Sequence, residues 1–117
     1  MKEDRKLLRP TSRHQWRAWL AKHHDAEPEI WLVLYKAHTG KQKVTYEDAV
    51  EEALCFGWID TMVRRIDADT YMQRFSPRRS GGNWTPGNLE RARRLEAAGL
   101  MTDAGRAKLP PGTRLAP

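Results

Sequence analysis

The chain is poor in the features that staple or anchor a small protein. Its 117 residues include one cysteine, Cys55, so the sequence allows no internal disulfide and no Cys-rich zinc cage. That usage fits a reducing compartment. No window approaches the ~18 uninterrupted apolar residues of a membrane span. Met1-Lys2-Glu3-Asp4-Arg5 has charge but no apolar core segment, so it does not read as a secretory signal. Internal repeats, low-complexity tracts, a P-loop and G-x-G-x-x-G are all absent from the sequence. His14, His23, His24 and His38 lack metal-ligand spacing, Cys55 sits in an apolar run, and Ser76 has no G-x-S-x-G context. The expectation is a soluble bacterial cytoplasmic protein with no membrane association, no cofactor and no metal.

What is present is charge, unevenly placed. The net charge is +6. Residues 44–60 hold five acids and no base, whereas residues 61–94 hold eight arginines against three acids. A basic block beside an acidic one can focus an anion at one place. The competing reading is a solvated basic face.

The order of elements follows from spacing and caps. Residues 1–11 read as a flexible, charged lead. Ser12-x-x-Gln15 fits a capping box for a helix over about 12–25, with Trp16, Trp19, Leu20 and His23 at helical spacing, and Pro28 closes it. Ile30 to Tyr35 is a continuous β-rich run, which implies burial on both faces. Thr39-Gly40 turns the chain, and Val44 is a candidate start of a short return. Thr45-x-x-Asp48 caps a second helix over 46–56, ended by Gly57. Residues 59–66 and 70–75 read as a hairpin around Asp67-Ala68-Asp69. A loop over 76–84 follows, expected to be the mobile rim. Thr85-Pro86 then starts a helix that ends at Gly99, and a short last helix begins at Thr102. The fold expected is α+β, in the order α-β-α-β-β-α-α: one domain over 12–109 with a small, mainly antiparallel sheet packed by helices, then a flexible tail over 110–117.

Candidate chemistry concentrates after the second helix. Trp58, Asp60, Arg64, Arg74, Arg78, Arg79 and Trp84 put one acid, four arginines and two indoles close in sequence. Core rarely holds so many arginines, and solvated surface rarely holds Trp. Guanidinium forks bind carboxylate and phosphate, and the backbone N–H groups of a glycine loop can add donors. An anion pocket formed by Arg74, Arg78 and a neighbour is the sharp expectation; a solvated loop is its rival. Asp60 reads as a carboxylate that orients Arg64 or Arg74, as a general base, or as half of a purely structural ion pair, the last being favoured. Trp16, Trp19 and Trp31 read as core. Trp84 reads either as a stacking platform or as a hydrophobic staple ahead of the Thr85 cap.

Taken together, several segments resemble the YdeI/OmpD-associated (bacteriocin-protection, OmdA-like) protein family. They are Trp31-Leu32-Val33-x-Tyr35-Lys36, Val44-Thr45-Tyr46-x-x-Ala49-Val50, Ala53-Leu54-Cys55-Phe56-Gly57-Trp58-Ile59-Asp60, Arg74-Phe75-Ser76-Pro77-Arg78-Arg79, Asn83-Trp84 and Gly99-Leu100-Met101-Thr102-x-Ala104-Gly105. The resemblance covers roughly 12–107. It implies a bacterial cytoplasmic protein and supplies no catalytic residues to carry over. Members of that family often continue into a Lys/Arg-rich helical segment, in place of which this sequence reads Leu109-Pro110-Pro111-Gly112-Thr113.

Three functions stay open at this stage. The first is a non-catalytic binding module for a small anionic ligand or an acidic partner. The second is a nucleic-acid binder using the basic 61–94 segment, including Arg91, Arg93 and Arg94. The third is a small enzyme using Asp60 with an arginine.

Overall fold

The computed structural model describes residues 5–82 and 84–115. The first four residues of the expected lead, Asn83 of the glycine loop and the last two residues of the tail lie outside the described residues. The chain runs β1 (Leu7–Leu8), α1 (Arg13–His23), β2 (Ile30–Tyr35), a 3-10 turn at Ala37–Thr39, α2 (Tyr46–Cys55), β3 (Trp58–Arg65), β4 (Thr70–Pro77), α3 (Pro86–Ala97) and α4 (Asp103–Arg106). The class is α+β as expected, with one strand added in front of the expected order.

That added strand lies within the 1–11 lead. Leu7 and Leu8 pair in parallel with Trp31 and Leu32. Two residues carry no periodicity to read, so this strand comes from tertiary docking on β2. The sheet is ordered β1-β2-β4-β3, and its β2–β4 and β4–β3 pairs are antiparallel. Ile30 through Leu34 are buried, as the continuous apolar run requires. Ile30, Leu32 and Leu34 join Trp58 and Phe75 in the core. On the neighbouring residue Trp31, the Arg5 guanidinium lies 4.7 Å from the ring centroid.

Side-chain caps fix where the helices begin. Ser12 accepts from the Gln15 N–H at 3.0 Å, and Thr45 and Asp48 form a reciprocal capping box. Thr85 accepts from the Asn88 N–H at 3.1 Å, and Pro86 follows as the first helical residue. α1 stops at His23, short of the expected 25, and β4 continues to Pro77, beyond the expected 75. Val44 is buried but begins no strand. In the 110–117 tail, Leu115 packs against the core, and the Thr113 N–H closes a turn on the Pro110 carbonyl.

An aromatic cluster joins α1 to the sheet: Trp16 lies 5.3 Å from Phe75 and Trp19 lies 5.7 Å from Trp58, centroid to centroid. Trp16 also donates its indole N–H to the Ala49 carbonyl on α2. Beside this cluster, arginines from two helices meet the acids of a third. Arg13 bonds Asp48, Glu51 and Glu52, and Arg17 bonds Glu52 and the Leu100 carbonyl. From α3, Arg91 forks onto Glu47 at 2.8 Å for both bonds, and Arg94 reaches Glu51 at 3.2 Å. The run of acids on α2 is therefore the seam of a helix layer. Glu52 is buried, while its two partners Arg13 and Arg17 are each about a third exposed.

α4 sits directly on the end of α2. Thr102 donates its hydroxyl to the Cys55 carbonyl at 2.6 Å. At Gly105 an added Cβ would stand 2.4 Å from the Cys55 carbonyl oxygen. Gly105→Ala is expected to destabilise the fold by about 2–3 kcal/mol. Gly87→Ala, which meets nothing closer than 3.9 Å, should stay within about 0.5 kcal/mol of the parent. Paired urea titrations check both. A second expectation concerns acid. The bond from Arg91 holds the Glu47 carboxyl down at about 2, from its ordinary 4.5, against an opposing effect of burial. A depressed carboxylate stabilises the fold above its unfolded value, and that contribution is lost as the pH falls from about 4.5 toward 2. The pair is half exposed, so the effect is below about 1 kcal/mol. Arg91→Ala should therefore lower the urea midpoint at pH 7 and leave it close to the parent's at pH 2; an equal deficit at both would contradict the assignment.

Candidate functional site

β3 and β4 converge at the end where α2 hands the chain to the sheet. Gly57 makes that turn with φ +76°. A side chain there would be strained, and its Cβ would collide with Lys108 and the Ala104 carbonyl. β3 then carries a bulge between Asp60 and Met62. The Thr61 hydroxyl accepts from Arg74 Nη1 at 2.9 Å. Across the ladder Ile59 faces Ser76. Beyond Pro77 the Arg78 N–H bonds the Gly57 carbonyl at 2.8 Å, which continues the pairing by one step and fixes the base of the Arg78 side chain.

A hollow of about 410 Å³ opens at this corner, lined by Ile59, Thr61, Ser76, Arg78, Gly82 and Trp84 among others. Arg78 is only 6% exposed. Its guanidinium carbon lies 4.2 Å from the Trp84 ring centroid, a stacking arrangement suited to a planar cation. Its Nε and Nη1 atoms are buried and have no hydrogen-bond partner among the described residues. Burial pulls the guanidinium down to about 10 from its ordinary 12.5, and only the charge of Asp60 opposes the shift. Arg78 is thus still protonated at neutral pH, at a cost of about 3 kcal/mol. That cost is full below pH ~10 and fades as the pH rises toward the ordinary value. Native structures rarely leave such donors unmet.

Two hydrogen bonds join the rim to the segment after α4. The Gly81 N–H and the Trp84 indole N–H both donate to the carbonyl of Lys108, at 3.1 and 3.0 Å. Trp84 is partly buried against the core, which leaves it the wall of the hollow on which Arg78 lies.

The sequence candidates fall into three groups. Arg78, Arg79 and Trp84 line the hollow together. Asp60 stands beside it: its Oδ2 accepts from the Tyr46 hydroxyl at 2.6 Å. Burial first, then Asp60, push that phenol up to about 12. Trp58, Arg64 and Arg74 do not line the hollow. Trp58 is a core residue, 1% exposed, donating to the His24 carbonyl at 3.3 Å. Arg74 is paired with Glu29 and bonded to Thr61, so the ion pair expected between hairpin arginine and Asp60 forms with a different acid. Arg64 is exposed and caps the Val63 carbonyl. The lining residues Ile59, Thr61 and Ser76 were not singled out from sequence. Counting the hairpin register from the turn at Asp67 would set Ile59 opposite Pro77; the bulge between Asp60 and Met62 moves it onto Ser76, and no residue pattern signals that shift.

The remaining chemistry is sparse. Among the described residues no cluster of His, Cys, Asp or Glu could hold a metal ion. Cys55 is buried, and burial pushes its thiol up. Arg91 and Arg94, which the nucleic-acid reading enlists, are paired with α2 carboxylates. No helix among the described residues is long and apolar enough to cross a membrane.

No curated protein and no solved structure matches the chain. One family does match, over residues 8–108, and this span takes in both strands of the hairpin, every residue that lines the hollow and the Lys108 tether. The chain belongs to that family, described as Domain of unknown function (DUF8412).

Proposed function

We propose that this protein is a non-catalytic binding module that takes a small anion, or the anionic group of an acidic partner, in the hollow beside Trp84. The observation that carries the reading is the Arg78 guanidinium, with two buried donors that nothing in the described protein meets. A carboxylate or phosphate oxygen admitted to the hollow would meet them with charge-assisted bonds once a shift of the guanidinium uncovers them. The hydroxyls of Thr61 and Ser76 and the exposed Arg79 surround the same space. Asp60 supports binding more than catalysis, since it is held by Tyr46 and acts on the cation through its charge, with no ion pair between them.

We also infer kinship with the YdeI/OmpD-associated, bacteriocin-protection proteins and a bacterial cytoplasmic location. The order and spacing of the quoted motifs support the first, and the single buried cysteine suits the second. Nucleic acid has less support, because Arg91 and Arg94 are engaged by acids of α2 and Arg93 lies 3.9 Å from Glu90 on its own helix.

The test is a thermal melt at constant ionic strength with phosphate or acetate replacing chloride. An anion at about ten times its Kd adds about 1.4 kcal/mol, which raises Tm by about 4–6 °C in a domain of this size. Arg78→Met should abolish the shift. Without anion it should melt at or above the parent temperature, because an uncompensated buried charge is replaced by an apolar chain that still packs on the indole. A parent indifferent to both anions, with Arg78→Met less stable than the parent, would overturn the reading.

A further inference from the structure

Two residues that line the hollow, Ile59 and Thr61, belong to a strand with an unpartnered edge. β3 is the last strand of the sheet, hydrogen-bonded to β4 on one side and, among the described residues, to no strand on the other. Every residue from Thr61 to Asp69 is exposed. Met62, Val63 and Ile66 are among the exposed large apolar side chains, Val63 at 57%. Soluble proteins usually guard such an edge, because free backbone donors and acceptors beside apolar side chains template another strand. The only charged residues from Thr61 to Ile66 are Arg64 and Arg65, and neither has a carboxylate within salt-bridge distance among the described residues. The nearest acid along the chain, Asp67, is turned into the hairpin, where its Oδ1 accepts from the N–H groups of Asp69 and Thr70 and from the Thr70 hydroxyl.

The sign of this edge selects its occupant. A second copy pairing β3 against β3 in a register centred on Arg64 and Arg65 would set like charges on facing strands, which is destabilising. An acidic segment meets the opposite condition. Direction adds a further constraint. β3 runs from the hollow, at Ile59 and Thr61, out to Arg65. A strand added antiparallel runs the other way, so its C-terminal end arrives at the hollow, where Arg78 offers its unmet donors.

Building on the anion-binding reading, we propose that β3 receives an acidic extended peptide as an additional antiparallel strand, with the carboxylate at or next to its C-terminus seated on Arg78. Backbone pairing supplies the affinity that is independent of sequence, while Val63 and Met62 offer apolar contacts to alternate side chains of the peptide. Arg64 and Arg65 select negative charge along the strand.

The test uses an N-terminally fluorescein-labelled Val-Glu-Val-Glu-Val peptide as the free acid and as the C-terminal amide, a lysine-for-glutamate version, and a single-stranded DNA oligomer of similar charge. Anisotropy is read at constant ionic strength, with amide exchange of β3 followed by NMR. The expected result is that the free acid binds at least about 10-fold tighter than the amide and slows exchange of amides within 61–65. Arg78→Met should erase the difference between acid and amide, while Arg64→Glu with Arg65→Glu should weaken both by about 10-fold or more yet preserve the acetate and phosphate shift in the melt. Equal binding of acid and amide because a glutamate side chain fills the hollow still supports the proposal if Arg78→Met weakens both. If no acidic peptide binds but acetate or phosphate still raises Tm through Arg78, this proposal falls and the anion-binding reading stands. Failure of peptide and anions alike ends both. Equal or tighter binding of the lysine peptide or the DNA, or peptide binding with unchanged exchange in β3, also overturns it.

Discussion

The acidic face of α2 is where the tertiary structure is decided. Glu47, Asp48, Glu51 and Glu52 crowd the first two turns of one short helix, an arrangement that repels itself until cations arrive from elsewhere. Those cations come from two separate elements, Arg13 and Arg17 of α1 and Arg91 and Arg94 of α3. Exposed ion pairs contribute little one at a time, but Glu52 is buried with both of its oxygens bonded to arginine, so this part of the seam requires all its members. Apolar packing beneath it, from Trp16 to Phe75, gives the layer its stability. In some proteins buried ionic groups of this kind select one arrangement of the elements that carry them.

The same seam sorts the arginines of the molecule. Those on α1 and α3 are neutralised where they stand, Arg74 is met by Glu29, and Arg106 by Glu96 and Asp103. On the hairpin and the loop behind it, Arg64, Arg65, Arg78 and Arg79 have no carboxylate within salt-bridge distance among the described residues. Arg78 is the extreme case, a cation taken out of water with an indole and a distant carboxylate as its company. Such a placement reduces stability unless a ligand supplies what is missing, and positions of that kind recur at binding sites.

Much of this was readable from the residues alone. The caps at Ser12, Thr45, Thr85 and Thr102 each placed a helix start, because they rest on short-range hydrogen bonds that a four-residue window contains. The hairpin was legible from its turn, and β2 from its unbroken apolar run. β1 was not, since a strand of two residues exists only by virtue of its neighbour. At the site, the segment was right in sequence but the face was not: Trp58 and Arg78 are both near the β3–β4 mouth, yet one belongs to the core and the other to the hollow. Which way each points depends on the bulge at Thr61 and on the Gly57 turn, and neither the offset nor the pleat can be counted without the pairing. The partner of Arg74 was likewise out of reach, because Glu29 lies forty-five positions away in the chain.

One carbonyl holds the mouth of the hollow in shape. The oxygen of Lys108 accepts both from the glycine loop and from the indole beneath Arg78, although Lys108 comes after α4 and is remote in sequence from everything it supports. A protease cut between Arg106 and Leu109 would thus unhook the far wall of the cleft while leaving all of its lining side chains intact, so the last turns of the described chain act as a clasp whose release would be felt first as a loss of shape around the guanidinium.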